Sequence, residues 1–283
     1  MKKIRIGYIE YLNCLPIYYA LEEGTVKLEA KLVKGPPTKL NRMFLEGQLD
    51  ITPISSIEYA RNPDKVVILP DISISADGNV ESIFLFSKIP VTELEGHTVA
   101  LTTSSATSVV LLKILFDHYY HVKVNYVDRK PDLPTMLKNT AAALLIGDDA
   151  ILAREKYKEL AGQPLIVTDL GEVWKKFTGM KMVYALWVIR QGFVDDNPGE
   201  TAEIAGIFRK AKEIGLNSLD LLAGKAAEHY NLPKELFDHY YETIRYDFGE
   251  EEQTALLTYY DYAYKSGLIP ERVKLRIWGE NIG

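Results

Sequence analysis

The order of strand-like and helix-like segments predicts an α/β protein of two lobes, each a mixed sheet flanked by helices, with a ligand cleft between the lobes and a helical C-terminal part. Three observations carry this expectation. Residues 4–54 read strand, loop, helix, strand, helix, strand, the order of an open α/β sheet with ligand groups at its strand ends. A further α/β unit over about 89–188 stands between two single strand-like runs, 82–88 and 183–190, which suit crossovers between lobes. Beyond residue 199 every segment has helical spacing. A chain of 283 residues accommodates one large domain or two compact lobes. The expected division is 1–88 plus 190–283 for the first lobe and 89–189 for the second.

Each element has a local reason. Ile4–Ile9 alternates as a strand does. Pro16 then opens an apolar helix that stops at Gly24, since proline suits a first helical turn and glycine the position after the last. Val26–Val33 reads as a strand, Lys39–Glu46 as a helix closed by Gly47, and Asp50–Ile54 as a short strand leading to Ser55-Ser56. Val66–Leu69 and Ile72–Ser75 read as two strands, followed by the Asp77-Gly78-Asn79 turn and the strand Ser82–Ser87. The second unit gives strands at Thr98–Leu101, Val122–Val127 and Ala141–Ile146. Its helices fall at Val109–Phe116, Pro134–Asn139 and Ala150–Glu159. After the strand Val183–Ile189, helices are expected near 199–214, 218–230, 234–244 and 251–265. In the last of these Leu256, Tyr259, Tyr260, Ala263 and Tyr264 share one face, so its tyrosines read as packing.

Composition excludes several classes. Hydrophobic residues make up 47% and charged residues 25%, as in ordinary globular chains. The net charge is −6 and there is no basic run, which argues against nucleic acid as a partner. No stretch approaches the ~20 apolar residues of a membrane span. The single cysteine, Cys14, excludes an internal disulfide and a cysteine-based zinc site. Arg5 and Glu10 interrupt any apolar leader after Lys2-Lys3, so a reducing, cytoplasmic setting is expected, as a monomer or homodimer. There is no Walker loop, HExxH, CxxC or GxSxG. His118 and His121 share a helical face but lack a third ligand nearby, so no metal is expected.

Five constellations could carry chemistry. In Tyr11-Leu12-Asn13-Cys14-Leu15-Pro16, Asn13 either presents its amide to a ligand or caps the helix, and spacing leaves both open. Cys14 has no neighbouring histidine and reads as a buried residue. Ser82, after Asp77-Gly78, either faces the cleft or bonds to backbone. The run Thr102–Ser108 has six hydroxyl residues in seven, more than a helix cap needs. Its backbone N–H groups at a helix start suit an anion such as a carboxylate. In Gly147-Asp148-Asp149 one aspartate caps a helix and the other is free to orient a ligand hydroxyl or to act as a base. Trp174 and Trp187 either wall the cleft or belong to the core.

The opening Ile6-Gly7-Tyr8-Ile9-Glu10-Tyr11-Leu12-Asn13-Cys14-Leu15-Pro16 resembles that of the chorismate dehydratases of the futalosine route to menaquinone. So do Ile74-Ser75-Ala76-Asp77-Gly78 with Val80 and Ser82, Thr103–Ser108, Ile146-Gly147-Asp148, and Asp169-Leu170-Gly171 with Trp174, Thr178, Gly179 and Tyr184-Ala185-Leu186-Trp187. These motifs stand in family order over about 4–190. The opening differs from the Cys-Pro-Asn-Asp type of the sister dihydroxynaphthoate synthases. The resemblance implies the fold of type II periplasmic binding proteins and a hydro-lyase that removes water from chorismate to give 3-enolpyruvylbenzoate. It implies no cofactor, a dicarboxylate substrate, and Asn13 and Ser82 as the polar residues at the reacting ring. The enolpyruvyl carboxylate of the substrate would take the ring proton. Ser105, Ala106, Thr107 and Ser108 are then expected to hold a carboxylate, with Ser56 and Asp148 as further substrate contacts. Asp149 stands where proline is expected in the family, which bears on the local helix start. A carboxylate-binding or sensing protein of the same fold is the alternative reading.

Overall fold

A computed structural model describes residues 3–157, 159–160 and 162–280. Two mixed sheets organise the chain. The first has six strands in the order β13-β4-β12-β3-β1-β2. These are β1 (Ile4–Tyr8), β2 (Ala30–Lys34), β3 (Ile51–Ser55), β4 (Val66–Ala76), β12 (Met182–Arg190) and β13 (Ile244–Arg245). β1 runs parallel to β2 and β3, and β12 runs antiparallel to β3 and β4. The second sheet has the order β11-β5-β8-β6-β7, from β5 (Ile83–Ser87), β6 (Thr98–Thr102), β7 (Asn125–Arg129), β8 (Ala142–Ile146) and β11 (Ile166–Asp169). A small ribbon, β9 (Glu159–Leu160) with β10 (Gln163–Pro164), stands apart.

Twelve helices are described. On the first lobe α1 (Leu15–Glu22), α2 (Pro37–Leu45) and α3 (Ser56–Arg61) follow strands β1 to β3. On the second, α4 (Thr107–Leu115), α5 (Leu133–Leu137), α6 (Gly147–Lys156) and α7 (Leu170–Thr178) do the same work. The C-terminal part is α8 (Gln191–Asp196), α9 (Pro198–Leu216), α10 (Leu219–Tyr230), α11 (Lys234–Thr243) and α12 (Glu250–Lys265). It is not wholly helical, because β13 adds an edge strand to the first sheet.

The pairings divide the chain earlier than the 88/89 and 189/190 boundaries expected. β5 bonds to β8 and β11 in the second sheet, while β12 bonds to β3 and β4 in the first. The crossings are therefore the segments 77–82 and 179–181 rather than the strands themselves. The two strands read at Val66–Leu69 and Ile72–Ser75 form one, β4. Its register against β12 shifts between Ile68 and Ser73, and Asp71 takes a left-handed φ of 62° in that excursion.

β11 and α7 have no counterpart in the sequence reading. β11 is an edge strand with Ile166 and Val167 exposed, so its pattern carries no inward-facing alternation. The Asp169-Leu170-Gly171 motif is the start of α7. The Asp169 carboxylate accepts the amides of Gly171 and Glu172 at 2.8 and 3.1 Å, and those of Val80 and Glu81 at 3.0 and 2.8 Å. One buried carboxylate thus caps a helix and ties the first crossing to it. Residue 171 must be glycine there, because a Cβ would stand 2.4 Å from the Gly78 carbonyl oxygen.

One large core joins the two sheets and the C-terminal helices. A separate cluster on the outer face of the second sheet packs Phe84, Phe86, Ala143 and Leu145 against Leu133, Met136, Leu137, Ala150 and Ala153. Trp174 and Trp187 are fully buried core residues. Neither borders the cleft.

The backbones of α9 and α1 come close together in this core. A Cβ at Gly215 would stand 1.7 Å from the Pro16 carbonyl oxygen. Backbone cannot yield as a side chain does, so Gly215→Ala is expected to cost ~3 kcal/mol, the upper end of ordinary overpacking. Urea denaturation measures it. A loss below ~1 kcal/mol would mean that the two helices separate freely.

Candidate active site

A cleft opens where strand ends and helix starts of the two lobes meet, a place where small-molecule sites commonly form. The loop after β1 contributes Tyr11, Asn13 and Cys14. Ile54 and Ser55 come from β3, Val80 and Ser82 from the first crossing, Ile83 from β5, Ser104, Ser105, Thr107 and Ser108 from the start of α4, and Ile146 and Gly147 from the junction of β8 with α6. Among the described residues, no charged side chain lines it.

Asn13 sits in a single 3-10 turn, Leu12–Cys14, that runs straight into α1. The helix cap position belongs to Cys14, without a side-chain capping bond, so Asn13 is not the cap. Its Oδ1 is buried with no partner. A buried unpaired acceptor costs ~1–3 kcal/mol, and such atoms collect where a ligand supplies the missing bond. Ser82 is 1% exposed at the end of the first crossing. Its hydroxyl donates to the Val80 carbonyl at 3.3 Å and accepts from Tyr240 at 3.2 Å. The Cys14 thiol is also buried, and desolvation pushes its pKa far up, so it stays a protonated packing group.

The hydroxyl run is partly absorbed by its own structure. Ser105 Oγ accepts the Ser108 amide at 3.2 Å and donates to Ser108 Oγ at 3.1 Å. Thr102 and Ser104 pair at 2.7 Å. Thr107 Oγ1 takes the Ile57 amide at 3.3 Å, across to the first lobe. Ser104, Ser105, Thr107 and Ser108 still border the cleft. The first amides of α4 have no acceptor within the helix, which keeps an anion site open there.

Three expected contacts stand elsewhere. Ala106 is not in the cleft wall; its carbonyl takes the Val110 amide. Ser56 lies behind the wall, fully buried, and gives its proton to the Val183 carbonyl at 2.8 Å, while its neighbour Ser55 faces the cleft. Asp148 also points away from the cleft. It accepts the Leu12 amide at 3.2 Å and the Tyr230 hydroxyl at 2.7 Å. It thereby clamps the Asn13 loop from the other lobe. α6 begins at Gly147, where φ is +61°, and forms with Asp149 in its first turn.

Sequence reasoning missed the residues that hold these loops. Tyr241 donates to the Leu12 carbonyl at 3.1 Å, Tyr259 to the Thr107 carbonyl at 3.0 Å and Tyr260 to the Ser56 carbonyl at 2.6 Å. With Tyr230 on Asp148 and Tyr240 on Ser82, five phenols of α10, α11 and α12 each reach a segment that carries an expected site residue. Burial raises every one of their pKa values, so all remain donors. The available signal was the pairs Tyr240-Tyr241 and Tyr259-Tyr260. Phenylalanine would fill a core equally well, and a buried phenol needs a partner.

Burial raises the Asp148 carboxyl from 3.8 to about 6, against the pull of the Tyr230 hydroxyl and the Leu12 amide. Between these values the folded protein holds a proton that the unfolded chain has lost. Stability from this group is therefore complete below about pH 4 and is lost as the pH rises through about 6, by up to ~3 kcal/mol. Asp148→Asn should flatten that slope. Thermal midpoints of both proteins from pH 4 to 7 test it, and parallel curves would remove Asp148 as the source.

The profile of a family described as menaquinone biosynthesis matches residues 4–265. The chain is 31% identical over 267 residues to the chorismate dehydratase of Thermus thermophilus, covering 90% of this chain and 93% of that one. It is 27% identical to the 1,4-dihydroxy-6-naphtoate synthase of the same organism, over 95% and 96% of the two chains. Among solved structures, a protein of Archaeoglobus fulgidus superposes with a TM-score of 0.77 at 22% identity, over 94% of this chain and 98% of that one. The periplasmic aliphatic sulphonate binding protein of Escherichia coli does so with 0.68 at 16%, over 100% and 96%. These two likenesses establish the periplasmic-binding-protein-like fold. Taken with the profile match over nearly the whole length, the 31% identity means that the chain belongs to the menaquinone biosynthesis family.

Proposed function

We propose that the protein is a chorismate dehydratase, a hydro-lyase that converts chorismate to 3-enolpyruvylbenzoate at the first step of the futalosine route to menaquinone, in the cytoplasm. The carrying observation is the unpartnered Asn13 Oδ1 beside Ser82 in an uncharged cleft. The Thermus thermophilus relative named chorismate dehydratase supports the reading, as does the opening motif that carries Asn13.

In the reaction a ring C–H bond and the C–O bond of the ring hydroxyl break, and a ring double bond forms. Hydrogen and hydroxide leave together as water, and the ring becomes aromatic. No external oxidant or reductant enters that balance. The chain's task is to hold a dianion in one pose and to hydrogen-bond the departing hydroxyl. Asn13 and Ser82 take the ring hydroxyl and the enolpyruvyl group. The α4 amides with Ser105, Thr107 and Ser108 take a carboxylate, without a lysine or arginine. The enolpyruvyl carboxylate removes the ring proton. Ser56 and Asp148 act from behind, on the segments that carry Thr107 and Asn13.

The test is purified protein with chorismate and no added metal or cofactor, followed by mass. Loss of one water is expected. Chorismate that binds saturably but stays intact would sink the lyase and favour a carboxylate-binding or sensing protein. Asn13→Ala should lower kcat by ~100-fold or more, the scale of losing one preorganised polar contact. A folded variant with near wild-type turnover would remove Asn13 from the mechanism.

A further inference from the structure

We infer that Tyr240 is a positioning residue for the elimination, one that fixes Ser82 as a hydrogen-bond donor toward the substrate. The inference rests on the dehydratase reading. Tyr240 lies on α11, is 2% exposed, and does not border the cleft. It acts through Ser82, which does.

The polarity of the chain is settled by its end. The Val80 carbonyl can only accept, so Ser82 donates to it, and the Tyr240 hydroxyl donates to Ser82. A serine hydroxyl has one proton. With an incoming bond already in place, Ser82 keeps that proton for an outgoing one. Its bond to Val80 is long, at 3.3 Å, and spans only two residues. It is readily exchanged for a substrate hydroxyl in the cleft. A departing hydroxyl needs a donor, and the incoming phenol bond polarises Ser82 in that sense.

Nothing else about Tyr240 demands the hydroxyl, since its ring packs in the core as phenylalanine would.

The test compares wild type, Tyr240→Phe, Ser82→Ala and the double variant, with kcat and KM for chorismate and the thermal midpoint of each. Tyr240→Phe should lower kcat about 10- to 50-fold with KM changed less than about threefold. In the Ser82→Ala background the same replacement should cost less than about threefold, because its target is gone. Wild-type kcat in Tyr240→Phe overturns the inference, and so does an equal loss in both backgrounds, which is the signature of general loosening. If the phenylalanine variant does not fold, site-specific 3-fluorotyrosine at position 240 keeps the ring and makes a stronger donor. A raised kcat supports the inference and an unchanged one overturns it. Wild-type protein that leaves chorismate intact would instead sink the dehydratase reading, and this inference with it.

Discussion

Burying a phenol is costly unless its proton finds an acceptor, as those of Tyr184 and Tyr246 do not among the described residues. That requirement ties the C-terminal helices to the site. Tyr230, Tyr240, Tyr241, Tyr259 and Tyr260 bury their rings among α10 to α12, and their hydroxyls end on Asp148, Ser82, Leu12, Thr107 and Ser56. Each acceptor lies on a loop or helix start that would otherwise be free to wander, as connecting segments are. A net hydrogen bond stabilises by only ~1 kcal/mol, so the bonds matter less as a sum than as a set of fixed positions. The rings supply the burial and the hydroxyls supply the register.

The lobes share this arrangement. Asp148 belongs to the second lobe, yet it holds the Leu12 amide of the first. Thr107 does the same with Ile57, and Asp169 holds the first crossing against α7. The cleft is thus framed by bonds that run between lobes, and its mouth and walls depend on both sheets together. A close backbone approach, Gly215 on Pro16, stands just behind the Asn13 loop. The long helix α9 seats α1, and α1 begins where that loop ends.

Much of this was legible in the sequence, with a consistent kind of error. The β-loop-α order marks the loop after β1 and the start of α4, because period and punctuation show where strands end. Those ends left Asn13 and Ser82 open between ligand contact and local structure, and the family resemblance decided for ligand contact. Which of two adjacent residues faces a cleft does not follow, since successive side chains point in different directions along strands and helices alike. Ser55 therefore stands where Ser56 was expected, and Gly147 where Asp148 was. The same limit explains Ala106. Pro70-Asp71 looks like the end of a strand, but β12 pairs on both sides of it, and only the partner reveals one bulged strand. Helical spacing likewise identified Tyr259 and Tyr260 as inward-facing. It carried no information about where their hydroxyls go, because the acceptors lie about 150 and 200 residues away in the chain.

An uncharged cleft looks ill-suited to a dianion, but on the proposed reading it suits the chemistry. If the substrate's own carboxylate is the base, a lysine or arginine beside it would lower its pKa and blunt it. Neutral donors bind the charge more gently, and removal from water raises the basicity of whatever carboxylate they leave free. The donors then divide the two carboxylates by number. A carboxylate at the α4 amides receives several bonds and is held as an anion. One over the Asn13 and Ser82 side meets a single hydroxyl and a single side-chain amide. It keeps more of its proton affinity. The same shortage of charge that makes binding modest therefore sorts an anchoring carboxylate from a reacting one.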